Sequence, residues 1–288
     1  MKFVKMHGLG NDYIYVEEFA APLPNPSSLA VILSDRHFGV GADGLVLIGP
    51  ADSPDYQADF RMRMFNADGS EGDMCGNAAR CVGKYLYERG LARETSIRLQ
   101  TLAGPRLLEL EVQGGLALSV RVNMGRPILR PADIPMLDTG ENFISREITV
   151  KGERFAATAV SMGNPHLVLA WPDLEKLPLE VIGPAFERHA LFPRRVNTEF
   201  IRVIDRERVR MRVWERGSGE TLACGTGACA VLAACVLNNW TGRRAVIELR
   251  GGELEVEWSA DDCIYLRGPA TEVFKGEFPL PKSASGTT

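Results

Sequence analysis

The feature that most constrains this chain is an internal duplication. Arg61-Met-Arg-Met-Phe65 and Arg210-Met-Arg-Val-Trp214 are near copies, 149 residues apart. At that offset Glu71 aligns with Glu220, Cys75 with Cys224 and Gly76 with Gly225. Both Cys-Gly pairs open stretches of small, uncharged residues, Cys75-Gly-Asn-Ala-Ala79 and Cys224-Gly-Thr-Gly-Ala-Cys-Ala230. Apolar residues at helical spacing come next: Ala79, Val82 and Leu86 in one copy, Val231, Leu232, Cys235 and Val236 in the other. The first helix should stop at Gly90 and the second near Asn238-Asn239. Behind each helix come three strand-like runs: Ile97–Thr101, Leu107–Val112 and Leu116–Val122, then Val246–Leu249, Leu254–Trp258 and Ile264–Leu266. Gly104-Pro105, Gly114-Gly115 and Gly251-Gly252 separate them as hairpin turns do. Ahead of each helix, Gly10-Asn11 is echoed by Gly163-Asn164.

A chain that repeats itself in this way folds as two related units. The expected class is α+β: two similar, pseudo-symmetric domains, each a strand-rich, mainly antiparallel sheet or barrel around one central helix. Their boundary falls in the Pro-rich connection around Pro127–Pro135, and a pseudo-twofold relation makes equivalent positions face each other across a cleft. Pro281–Thr288, small and polar, is expected to fray.

Composition removes most other classes. With 45% hydrophobic and 24% charged residues the chain is globular, and a net charge of −4 argues against a nucleic-acid partner. Lys2 and Lys5 break the first apolar run too early for a signal peptide. The apolar stretch Ala228–Leu237 is too short to span a bilayer and reads as a buried helix. Six cysteines without a secretion signal suggest reduced thiols in a cytoplasm. No Cys-x-x-Cys occurs and His7, His37, His166 and His189 are scattered, so a metal site is not expected. Gly39-Val-Gly-Ala-Asp-Gly44 fits the dinucleotide fingerprint, but Leu33–Phe38 before it is a poor strand. The next segment, Leu45–Ile48, is strand-like instead of helical, so a tight turn is the better reading. No lysine stands in a context suited to pyridoxal phosphate.

Cys75 and Cys224 carry the chemical argument. Each is placed at a helix amino terminus, where free N–H groups and the helix dipole favour an anion. Such a setting is expected to lower a thiol pKa from about 8.5 toward neutrality. Cys81, Cys229, Cys235 and Cys263 have no such setting and read as small buried hydrophobes. Two thiols facing one carbon suit racemisation or epimerisation: one takes a proton and the other returns one to the opposite face. The N–H groups of Gly76-Asn77 and Gly225-Thr226 would hold the substrate carboxylate.

These segments together resemble the diaminopimelate epimerases, cofactor-independent enzymes of lysine and peptidoglycan biosynthesis. The resemblance rests on His7-Gly-Leu-Gly-Asn-Asp12, Phe65-Asn-Ala-Asp-Gly-Ser-Glu71, Met74-Cys-Gly-Asn77, Ala79-Arg-Cys81, Gly163-Asn-Pro-His166 and Val196-Asn197. Glu215-Arg-Gly-Ser-Gly-Glu-Thr221 and Ala223-Cys-Gly-Thr-Gly-Ala-Cys229 complete it, and the similarity runs from Met1 to Phe278. It implies an N-terminal domain of residues 1–122 plus 269–288 and a C-terminal domain of residues 123–268. Cys75 and Cys224 would then be the acid/base pair, with His166 and Glu215 tuning the thiols. Asn11, Asn66, Gly76, Asn77, Asn164, Asn197, Glu215, Arg216, Gly225 and Thr226 would bind substrate. A homodimer is implied less directly, because Phe274 stands where some members have a Tyr linked to dimer formation. Gly44 stands where some carry Gln.

The expected activity is thus epimerisation of LL-2,6-diaminoheptanedioate to the meso form, without cofactor or metal. The nearest rival is another two-cysteine enzyme, such as a proline racemase-like one. That substrate's single carboxylate would leave Glu215, Arg216 and four asparagines without a use. A thiol redox protein would want closely spaced cysteines, and a silent binding protein would not need both.

Overall fold

The computed structural model describes residues 1–280; the tail Pro281–Thr288, expected to fray, lies outside them. The first half runs β1 (Lys2–Gly8), β2 (Asn11–Glu17), α1 (Pro26–Ser34), β3 (Gly44–Pro50), β4 (Phe60–Asn66) and β5 (Glu71–Gly72). Then come α2 (Gly76–Glu88), β6 (Ser96–Thr101), β7 (Gly104–Gln113) and β8 (Leu116–Gly125). The second half begins with β9 (Arg146–Val150), β10 (Glu153–Ser161), β11 (Pro165–Ala170), α3 (Leu179–Glu187), β12 (Asn197–Asp205) and β13 (Arg208–Glu215). It ends with β14 (Gly219–Glu220), α4 (Gly225–Leu237), β15 (Arg244–Leu249), β16 (Gly252–Trp258), β17 (Ile264–Gly268) and the returning β18 (Thr271–Glu277).

The pairings repeat with the sequence. β2 lies antiparallel to β1 and parallel to β3, as β11 does to β10 and β12. β4 is parallel to β6, as β13 is to β15. β18 returns to pair with β1, the place β9 takes on β10. The halves join where β8 and β17 pair antiparallel, with Val122 opposite Leu266. The expected pseudo-symmetric α+β architecture is therefore present.

It is richer than the sequence reading in two respects. Each half contains parallel strand pairs, and each has a second, outer helix, α1 or α3. Neither outer helix announces itself. Asn25 before α1 caps nothing with its side chain, and α3 contains Pro184, which ordinarily breaks a helix. Tertiary packing holds them instead. Leu29, Ala30 and Leu33 of α1 pack on Ile14, Leu45, Leu47 and Phe65, while Phe186 of α3 meets Phe155 and Phe200 at centroid distances of 5.2 Å.

Each sheet is thus covered on both faces. β3 shows the consequence, being buried from Gly44 to Gly49: Leu45 and Leu47 face the outer helix, Val46 and Ile48 the inner core. The central helices differ. α4 is apolar on every side and fully buried from Ala228 to Cys235, whereas α2 keeps a polar edge where Lys84 pairs with Glu88. Burying a side chain such as Leu232 contributes about 1.5–3 kcal/mol, so a charge there would break the second half.

The glycine run 39–44 closes α1 into β3. Gly39 and Gly41 donate their N–H groups back to Asp35 O and Leu33 O at 2.9 Å each. A Cβ on Gly39 would lie 2.2 Å from Ile32 O, so the turn requires glycine. No helix among the described residues is long and apolar enough to cross a membrane.

Candidate active site

Cys75 and Cys224 are the residues at which extended chain becomes helix. Their φ angles are −134° and −120°, and α2 and α4 begin at the next glycine. Neither helix has a side-chain cap or an acidic residue in its first turn, so the leading N–H groups are available to a bound anion. The two amino termini abut: a Cβ on Gly225 would lie 3.9 Å from Gly76 Cα and 3.7 Å from Asn77 Oδ1. Asn77 ties the halves together, donating from Nδ2 to Asn11 Oδ1 at 3.1 Å and to Ala223 O at 3.4 Å.

Both thiols open on one cavity of about 520 Å3, whose lining includes Asn11, Gly76, Asn77, Asn164, Glu215, Gly225 and Thr226. A neighbouring lobe of about 920 Å3 shares Asn11, Tyr13, Glu215 and Ala223 with it and adds Asn66, Arg216, Arg36 and Asp43. Asn11 and Asn164 are presented by matching turns, in which Gly10 and Gly163 hold φ of +90° and +97°.

Most residues expected at the site therefore line one of these two lobes. Two do not. Asn197 is buried behind them and accepts the Arg216 N–H at 2.8 Å, fixing the backbone that carries the arginine. His166 is fully buried, with Nδ1 2.7 Å from Glu199 Oε1 and Nε2 3.1 Å from Asn164 Oδ1. Its partner Glu199 escaped the sequence reading, although a lone acid in the apolar run Thr198-Glu-Phe-Ile201 was a usable signal. A Cβ on Gly227 would lie 2.8 Å from Glu199 Oε1 and 3.2 Å from Cys224 Sγ, so this acid sits directly behind the second thiol. Gly44 has no room for a side chain: its Cβ would lie 2.1 Å from Phe65 O and 2.8 Å from Tyr13 Cε1.

The thiol pKa expectation is overturned. Burial pushes the Cys75 thiol up, although the N–H groups of Ala78 and Asn77 and the Arg80 guanidinium pull the other way. Burial, then the carboxylates of Glu215 and Glu199, push Cys224 up much further. Helix-end dipoles are present at both thiols, but desolvation outweighs them. Glu215 itself is raised by burial, against hydrogen bonds from the Thr221 hydroxyl and the Cys224 thiol.

The site thus places a thiol from each half on one cavity, between two helix amino termini in a duplicated sheet fold. The fold has solved counterparts. A hydroxyproline epimerase from Agrobacterium vitis matches 96% of this chain and 91% of its own, with a TM-score of 0.67 and 17% identity. A phenazine biosynthesis protein of Bacillus anthracis matches 97% of this chain and 99% of its own, with a TM-score of 0.68 and 16% identity.

The sequence narrows this fold to a family. The diaminopimelate epimerase family model matches residues 3–129 and 158–273. The diaminopimelate epimerase of Acetivibrio thermocellus is 55% identical over 281 residues, covering 97% of this chain and 99% of the relative. Those of Methanococcus maripaludis and Desulfovibrio desulfuricans are 53% and 50% identical, covering 97% and 96% of this chain and 100% and 98% of their own. The chain belongs to the diaminopimelate epimerase family.

Proposed function

We propose that this protein interconverts LL-2,6-diaminoheptanedioate and its meso form by a two-base reaction that uses no cofactor, supplying lysine and peptidoglycan precursors. The observation that carries the mechanism is the pairing of Cys75 and Cys224 on one cavity between two helix amino termini. The relatives' names and the family supply the substrate.

In one direction the thiolate of one cysteine takes the α proton, breaking the C–H bond. The electron pair passes into the adjacent carboxylate, whose added charge is met by N–H groups of Gly76, Asn77, Gly225 and Thr226. The other cysteine then gives its thiol proton to the opposite face. One proton leaves and one arrives, so the enzyme ends with the roles of its thiols exchanged, ready for the reverse reaction. Burial keeps both thiols protonated at rest, and the substrate's α-ammonium brings a cation that favours the first ionisation.

The neighbouring lobe suits the unreactive end. Arg216 can meet the distal carboxylate, while Glu215 and Asn66 can meet the distal ammonium, with the amide of Asn164 available to it from the thiol cavity. Asn197 and His166 support this from behind, one through the Arg216 backbone and one through Asn164. A proline-sized substrate would leave that lobe unused. Binding there would position the α carbon between the thiols.

Division into residues 1–122 with 269–288 and residues 123–268 belongs to this reading, and the β8·β17 seam supports it. So does assembly as a homodimer, for which the exposed Val273 and Phe274 on β18 offer an apolar edge. A cytoplasmic setting fits the six free cysteines.

The test is the purified protein with LL-diaminoheptanedioate in deuterated water, without pyridoxal phosphate. The product should carry α-deuterium well before recovered substrate does. Lysine, lacking the distal carboxylate, should turn over roughly 10²-fold more slowly or worse. Equal turnover of lysine and diaminoheptanedioate would remove the substrate assignment and leave the thiol chemistry standing.

A further inference from the structure

Arg106 is the one cationic side chain lining the thiol cavity among the described residues, and neither the proton transfers nor the distal-end contacts use it. It lies at the cleft end of β7, where Arg106, Leu108 and Leu110 alternate onto the inward face; the two leucines are buried in the core. Strand register identifies its counterpart in the other half. Arg106 pairs with Leu99 in the β6–β7 hairpin, as Leu254 pairs with Ile247 in the β15–β16 hairpin. Leu254 is fully buried, so one half closes this position with a core leucine and the other opens it to the cavity with a guanidinium.

That guanidinium is poorly partnered. Its single hydrogen bond runs from Nη1 to the neighbouring Pro105 O at 2.9 Å. Its Nε is buried without an acceptor. Burial is the sole influence on its titration, with no carboxylate to offset it. A half-buried cation kept without an internal anion costs stability, and a site that later receives an anion recovers that cost.

We propose that Arg106 is a further substrate-binding residue, a clamp for the carboxylate at the reacting end. The inference rests on the reading of the cavity as the epimerase site. When the α C–H bond breaks, the electron pair moves into this carboxylate, and a guanidinium donating to its oxygens gains strength as their charge grows. Arg106 stays protonated throughout and exchanges no proton. The helix-end N–H groups approach from the floor of the cavity, and Arg106 adds a full charge from the β7 wall.

The experiment is a charge series, Arg106→Lys, Arg106→Gln and Arg106→Glu, in the full-length enzyme. Gln and Glu are nearly the same size, so their difference reports charge and not packing. kcat/KM for LL-diaminoheptanedioate should fall less than 10-fold for Lys, roughly 10²-fold for Gln and further for Glu, while the thermal midpoint of the substrate-free Gln variant should not fall and should rise if anything. A second readout needs no substrate: alkylation of Cys75 and Cys224 by iodoacetate relative to neutral iodoacetamide. Iodoacetate carries a carboxylate next to its reactive carbon, so the rate ratio should drop roughly 10-fold in the Gln variant and again in the Glu variant. Equal behaviour of folded Gln and Glu variants in that ratio would overturn the inference. A wild-type enzyme that fails to epimerise diaminoheptanedioate while keeping the ratio effect would overturn the assigned reaction and leave the anion clamp in place.

Discussion

The surroundings of Cys75 and Cys224 show how far a duplicated site can diverge while keeping its backbone. Both thiols begin a central helix at the same register. Behind Cys75 lies Arg80, fully buried, which donates to Pro269 O at 3.1 Å, Gly76 O at 3.3 Å and Asn77 Oδ1 at 3.0 Å. At the same 149-residue offset the other half has the fully buried Cys229. Behind Cys224 lie two carboxylates, Glu215 and Glu199, the latter held by His166. The register positions of His166, Asn197 and Glu199 on β11 and β12 correspond to Tyr13, Gly44 and Val46 on β2 and β3. One thiol is therefore backed by a cation and the other by anions. Cys75 is thus the thiol that ionises more readily and Cys224 the firmer one, although burial raises both. Symmetry supplies the geometry, and departure from symmetry makes the two thiols unequal.

The largest expected effect comes from removing either thiol. Cys75→Ala and Cys224→Ala should each reduce epimerisation by roughly 10⁴-fold, the upper end for a positioned acid or base. The surviving thiol should still exchange the α proton of the one stereoisomer it faces, so each variant should wash deuterium into a different isomer. Wash-in to the same isomer by both variants would contradict the two-sided arrangement.

Glu215→Gln should cut turnover by roughly 10²-fold while making Cys224 react faster with iodoacetamide, because the charge raising its pKa is gone. Stability should move the other way. The folded Glu215 pKa lies above its unfolded value of 4.5, so stability is lost as pH rises through the folded pKa and the carboxylate ionises in place. The Gln variant should therefore melt higher at neutral pH, with the gain vanishing in acid. A lower melting point across all pH values would show that the carboxylate is a net stabiliser.

Arg80→Lys keeps the charge but cannot reproduce all three hydrogen bonds. Cys75 should be alkylated roughly 10-fold more slowly at neutral pH, with its pH midpoint displaced upward, and Cys224 should be unaffected. Equal slowing at both thiols would mean that Arg80 acts on the cleft as a whole. The smallest effect is in the wild-type pH profile. Activity needs one thiolate and one thiol, and both pKa values are raised, Cys224 more than Cys75. kcat/KM should therefore climb through neutral and mildly alkaline pH as Cys75 ionises and fall only when Cys224 ionises. A profile that falls over this range would contradict the upward displacement of both thiols.

The duplicated motifs made the architecture legible in sequence, because each repeat combined a turn, a Cys-Gly helix start and hairpins whose local signals agreed. They also made the two thiols and the asparagine turns legible, since a small-residue helix start behind a polar loop is a local feature. The outer helices were not legible. Asn25 offers no cap, Pro184 argues against helix, and only contact with the sheet decides in their favour. Glu199 and Arg106 were invisible for a related reason. Each looks like a stray charge on an apolar strand, and its meaning depends on which face the strand presents and which distant parts of the chain meet it there. The thiol pKa values belong to the same group. The sequence placed each cysteine on a helix dipole, a short-range effect, but desolvation is a property of everything packed around the sulfur. The sequence alone thus determined the repeat, the central helices and hairpins, and the two cysteines at the helix starts. Which thiol ionises more readily, and that the Arg106 guanidinium opens on the thiol cavity, was decided only when the tertiary structure set burial and the distances between charges.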